Sequence, residues 1–118
     1  MKYACLVYIE ESVMAALSPA EGASLNNRSM DFDAGLAADG RLVVAQPLHP
    51  PRTAVTIRVR DGRVSRTDGP FAETKEHLGG FFLVDAESLE AAIALAADSP
   101  MAQVGSIEVR PAFDMVKR

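Results

Sequence analysis

The densest group of residues able to do chemistry runs from Thr67 to Gly80: Thr-Asp-Gly-Pro-Phe-Ala-Glu-Thr-Lys-Glu-His-Leu-Gly-Gly. Asp68, Glu73 and Glu76 bring carboxylates, Lys75 an ammonium and His77 an imidazole that titrates near neutral pH. A carboxylate or imidazole can move a proton to or from a bound molecule, and a nearby ammonium can tune it. Asp68, Glu76 and His77 are therefore the candidate acid or base groups, and Gly69, Pro70, Phe71, Glu73 and Lys75 the candidate ligand contacts. Each also has a plainer reading. Asp-Gly-Pro is turn chemistry: the aspartate bonds its own backbone, the glycine takes unusual angles and the proline fixes the exit. Glu73, Lys75 and Glu76 equally suit a solvated charged turn or an ion-pair cluster at a dimer seam. The spacing of Glu73 and His77 predicts a short helical turn that brings the two together.

Other chemistries lack their residues. His49 and His77 stand far apart, and Cys5 lies in an apolar run, so no metal-ligand spacing exists and no metal is expected. Gly79-Gly80 leads into an apolar run of strand character, not into a helix, so no phosphate-cradling loop is present; no serine sits in a nucleophile-elbow context, and no cofactor is expected. The net charge is -4, and the one basic concentration is Arg58, Arg60, Arg63 and Arg66, which argues against a nucleic-acid partner. One cysteine excludes an internal disulfide and makes the cytoplasm the natural compartment. Neither a signal pattern nor a stretch long enough to span a membrane is evident, so no membrane partner is expected.

The elements that must position these residues follow from periodicity. Residues 3–9 are continuously apolar and rich in β-formers, which predicts a strand buried on both faces. Ser18-Pro19-Ala20-Glu21 predicts a helix start with a capping box; Leu25, Ser29, Phe32 and Leu36 form its stripe, and Asp39-Gly40 ends it. Residues 41–46 read as a short strand, after which Pro47, Pro50 and Pro51 interrupt pairing. Val55, Ile57 and Val59 alternate with Thr56, Arg58 and Arg60, and Asp61-Gly62 predicts a two-residue hairpin pairing Val59 with Val64 and Ile57 with Arg66. Phe81 to Val84 is a second run apolar on both faces; Leu89, Ala92, Ile93 and Ala96 stripe a second helix that Ser99-Pro100 ends; residues 105–113 make the last strand.

At 118 residues there is room for one domain. Leaving the hairpin aside, the order is strand, helix, strand, strand, helix, strand. This is the ferredoxin-like βαββαβ arrangement of an α+β fold, with both helices on one face of the sheet. The first and third core strands are then central, and they are the two greasy runs. The helix-free face would carry Leu6, Tyr8 and one of Phe81 and Phe82. Exposed apolar area of that size marks an interface, so a homodimer is expected, its two sheets facing each other as a dimeric α+β barrel.

Asp68-Gly69-Pro70-Phe71-Ala72-Glu73-Thr74-Lys75-Glu76 followed by Gly79-Gly80-Phe81-Phe82-Leu83-Val84 resembles the signature of the DGPF-motif branch of the YCII-related family. The likeness extends to the opening strand, Gly40-Arg41-Leu42-Val43, the strand at 53–60 and Gly105-Ser106-Ile107-Glu108-Val109-Arg110-Pro111. It implies a dimeric α+β barrel whose more distant relatives include muconolactone-isomerase-like and dehalogenase-like enzymes. It also implies gene neighbourhoods shared with extracytoplasmic-function sigma factors. The expected function is a small-molecule-binding dimer with acid–base catalysis of isomerase or lyase type in the barrel cleft. The alternative is a non-catalytic regulatory or structural dimer linked to a sigma-factor stress response.

Overall fold

A computed structural model describes residues 1–115. Strand β1 is Lys2–Glu10, followed by a short helix α1, Glu11–Ala15, and a long helix α2, Pro19–Ala38. Strand β2, Leu42–Pro47, leads through one 3-10 turn, Pro51–Thr53, into a hairpin of β3, Val55–Arg60, and β4, Arg63–Asp68. The chain returns as β5, Glu76–Asp85, then α3, Leu89–Ala97, α4, Met101–Val104, and β6, Ser106–Pro111. The main sheet has the order β2-β5-β1-β6, antiparallel throughout, and the hairpin is a separate two-stranded sheet. This is the ferredoxin-like order, with the two greasy runs in the middle.

The core explains the pattern. Tyr3, Cys5 and Val7 of β1 and Phe82 and Val84 of β5 are buried under Leu36 of α2 and Ala92 and Ala96 of α3. Small alanines let α3 approach the sheet closely, while Phe32 meets Phe82 edge-on at 5.7 Å between ring centres. Both helices thus cover one face. On the other face Leu6 pairs with Phe81 and Ala4 with Leu83, and these side chains are only half-buried. Of the two phenylalanines, Phe82 is the one turned to the helices.

Helix α2 starts as its sequence predicts. Ser18 Oγ accepts from the Glu21 amide at 3.1 Å, and Glu21 Oε1 accepts from the Ser18 amide at 3.0 Å. Gly40, at φ +72°, takes the left-handed turn after it. The hairpin register is also as predicted, Val59 opposite Val64 and Ile57 opposite Arg66.

Four local expectations are corrected. No helical turn forms over residues 73–77: Glu76 and His77 already belong to β5, paired opposite Glu10 and Ile9. The long partner β1 offers a ladder the whole way down, and its hydrogen bonds outweigh a lone turn that satisfies few backbone groups. Gly79-Gly80 therefore lies inside a strand, where the register shifts between Val7 and Tyr8 and Gly79 is the extra residue of a bulge. Pro47 does not interrupt pairing but closes β2 opposite Gly80, which an edge strand tolerates. A further helical turn, α4, follows Pro100, where the sequence showed only an ending.

Candidate functional site

The strand is crowded at the bulge. A Cβ on Gly79 would stand 2.6 Å from Ile9 Cδ1, and one on Gly80 would stand 3.0 Å from the Gln46 carbonyl oxygen. The Ile9 side chain can turn aside, but the Gln46 carbonyl is fixed backbone, so it is Gly80 that lets β5 lie this close to β2. The thinned sheet forms one wall of a cleft of about 420 Å³ beneath α2.

Helix α2 forms the opposite wall through Gly22, Leu25, Asn26, Ser29, Met30 and Asp33, a stripe at helical spacing. Val7, Ile9, Phe82, Met14 and Met101 complete an apolar lining, and Gln46 and Ser99 add polar atoms at its sides. The polar groups have different partners. Asn26 donates to Met30 Sδ at 3.6 Å, a weak bond, and Ser99 Oγ accepts from the Met101 amide at 3.3 Å. Ser29 Oγ is buried and has no hydrogen-bond partner among the described residues. Burial pushes the Asp33 carboxyl above its ordinary pKa. An unpaired hydroxyl and a carboxyl whose pKa burial raises, one helical turn apart, line the same largely apolar space.

The residues singled out from sequence lie elsewhere, and none of them lines this cleft. Asp68 is exposed and closes β4 opposite Val55. Gly69, at φ +106°, makes the turn: its amide donates to the Ala54 carbonyl at 2.7 Å, and its own carbonyl accepts from Thr56 Oγ1 at 2.9 Å. Pro70 is half-buried beside it. Phe71 is 77% exposed, with the Arg58 guanidinium 5.4 Å from its ring centre. Glu73 is exposed, and Lys75 Nζ lies 3.4 Å from Glu10 Oε1 in a surface ion pair. Glu76 and His77 are neighbours on a strand, so they point to opposite faces. His77 shares the face of Ile9, directly opposite it, and Ile9 lines the cleft; Glu76 shares the other face with Glu10. His49 is exposed on its loop. His77 is thus the one candidate acid or base placed beside the cleft.

Sequence reasoning passed over Ser29 and Asp33. Their signal was available: Ser29 is the one polar member of the stripe Leu25, Ser29, Phe32 and Leu36, a position where an apolar residue is the default. No group of three or more His, Cys, Asp or Glu side chains suited to a metal exists among the described residues. No helix among them is long and apolar enough to cross a membrane.

Comparison with known proteins supplies the family. The model of the YCII-related domain matches residues 1–116. An uncharacterized protein of Rhizobium meliloti (strain 1021) is 40% identical over 113 residues, covering 94% of this chain and 91% of its own. Among solved structures, 5-chloro-2-hydroxyhydroquinone dehydrochlorinase from Burkholderia phenoliruptrix AC1100, in complex with 2,5-dihydroxybenzoquinone, superposes with a TM-score of 0.57. That match covers 96% of this chain and 94% of the other at 13% identity, which establishes a shared fold. The chain belongs to the YCII-related family.

Proposed function

We propose that the protein is a small-molecule-binding homodimer whose ligand occupies the cleft between α2 and the sheet, with Asp33 as the group that exchanges a proton with it. The observation that carries this reading is Ser29 Oγ, buried in the cleft wall without a partner. Leaving a buried hydroxyl unpaired costs about 1–3 kcal/mol, which a ligand oxygen or N–H would recover. The lining is mostly apolar, with Asn26, Asp33, Gln46 and Ser99 as its other polar residues, so the ligand class is a mostly apolar molecule bearing a few hydrogen-bonding groups. Asp33, held toward its protonated form by burial, suits general acid–base work of isomerase or lyase type.

His77 keeps its expected acid–base role in this proposal through its place opposite Ile9 at the side of the cleft. Asp68 and Glu76 are assigned to the strand ends that frame the return segment, and Gly69, Pro70, Phe71, Glu73 and Lys75 to the segment itself. A small quinone-like ligand in a dehydrochlorinase of the same fold supports the idea that this architecture accommodates such molecules. The homodimer is supported by the half-buried Leu6, Tyr8, Phe81 and Leu83 on the helix-free face.

The test is a fragment screen by protein NMR on the wild type and on Ser29→Val. Fragments should shift the amides of Ser29, Asp33, Gly79 and Gly80, and the substitution should abolish those shifts while the fold persists. Fragments that shift only residues 68–76 would refute the cleft. Sedimentation at micromolar concentration should give the mass of two chains; a single-chain mass would refute the dimer.

A further inference from the structure

The β3–β4 hairpin stands apart from the body. None of its residues joins the core cluster, and it hydrogen-bonds into no other sheet. The radius of gyration, 16.4 Å, exceeds the roughly 13.5 Å of a compact chain of this length, as a projecting arm requires. An isolated two-stranded hairpin is marginal in water. One face of this one carries Val55, Ile57, Val59 and Val64, each more than two-fifths exposed. Arg66, opposite Ile57, and Asp68, opposite Val55, stand on that same face, while the other face and the tip carry Arg58, Arg60 and Arg63. Arg60 and Arg63 sit directly opposite each other, a like-charge pair that destabilises a hairpin unless an anion lies near. Among the described residues neither has a carboxylate within ion-pair distance.

We infer that the hairpin is a clasp that docks on a second copy of this chain, extending the sheet-to-sheet interface; the inference rests on the homodimer proposed above. Charge complementarity selects that occupant. Residues 55–68 hold four arginines against two aspartates, a net +2, which leaves -6 for the rest of a chain whose total is -4. A basic arm attached to an acidic body finds its complement on another such body. The helix-free face of the main sheet is itself apolar: Val44 and Leu78, both exposed, share it with Leu83 and Tyr8.

The test compares dissociation constants by sedimentation for the wild type, for Ile57→Asp with Val64→Asp, and for Arg60→Glu with Arg63→Glu. All four positions are exposed, so the subunit fold should persist by circular dichroism. The aspartate variant should dissociate about 100-fold more readily. The glutamate variant should weaken by roughly 10-fold, and added salt should weaken the wild type but not it. A dimeric wild type whose constant neither variant changes would overturn the clasp and leave the dimer standing. A monomeric wild type would overturn both. Should the aspartate variant unfold, the glutamate variant and the salt series decide.

Discussion

Ser29 sets two demands against each other. Removing its hydroxyl relieves an unpaired buried oxygen, so Ser29→Ala should stabilise the free protein by about 1 kcal/mol in thermal or urea unfolding. The same change should weaken any cleft ligand, and this opposition is the mark of a group kept for binding. Asp33 adds a pH signature. Its folded pKa lies above the ordinary 3.8, so folding favours the protonated acid. That contribution is complete below the ordinary value and is lost as pH rises through the raised one. The stability difference between Asp33→Asn and the wild type should therefore be small in acid and widen in favour of the asparagine as pH climbs past 3.8. Unfolding midpoints across pH will show whether the two curves diverge in that direction. Cys5 is a residue to set aside. Burial pushes its thiol up to about 11, so it stays protonated and sealed in the core at neutral pH. Iodoacetamide should label it only in denaturant; rapid labelling of the native protein would contradict the packing around it.

Helix α2 and strand β5 make the cleft between them, and each carries a testable device. Loss of the Ser18 cap in Ser18→Ala should cost about 1 kcal/mol, with the helix frayed at its first turn. Gly22 faces the cleft, and a Cβ there meets nothing within 4 Å. Gly22→Leu should accordingly fold at least as well as the wild type, since leucine favours a helix over glycine by roughly 0.8 kcal/mol, while it fills the ligand space. Retained binding in this variant, read by the same NMR shifts, would argue against the cleft. How much of this was legible depended on the length of the pattern. The cap, the glycine stop and the α2 stripe are local signals, and they specified that helix. The hairpin register followed from Asp61-Gly62 alone. Residues 73–77 misled because their helical spacing is a local preference, whereas the pairing of Glu76 and His77 with Glu10 and Ile9 is a contact across the chain. Gly79-Gly80 read as a strand boundary because a bulge has no signature until the two neighbouring strands are known.

For the whole molecule, the order of the sheet was readable because greasiness on both faces belongs to central strands, and β1 and β5 are the two greasiest runs. The cleft was not readable. It is a space between α2 and a sheet thinned by glycine, and no single stretch of sequence encodes a space. The same open sheet face that supports the dimer predicts that Leu6→Asp, placed beside Phe81, dissociates it by more than 10-fold while leaving the helix-covered core intact. Circular dichroism with sedimentation would separate that outcome from simple unfolding. The most direct measurement is a crystal structure of the wild type soaked with small hydroxylated aromatic fragments. A bound fragment should lie beneath α2 with a polar atom within hydrogen-bond distance of Ser29 Oγ and another facing Asp33. Fragments that gather instead around Asp68 and Phe71, with Ser29 still unpartnered at saturating ligand, would contradict the account.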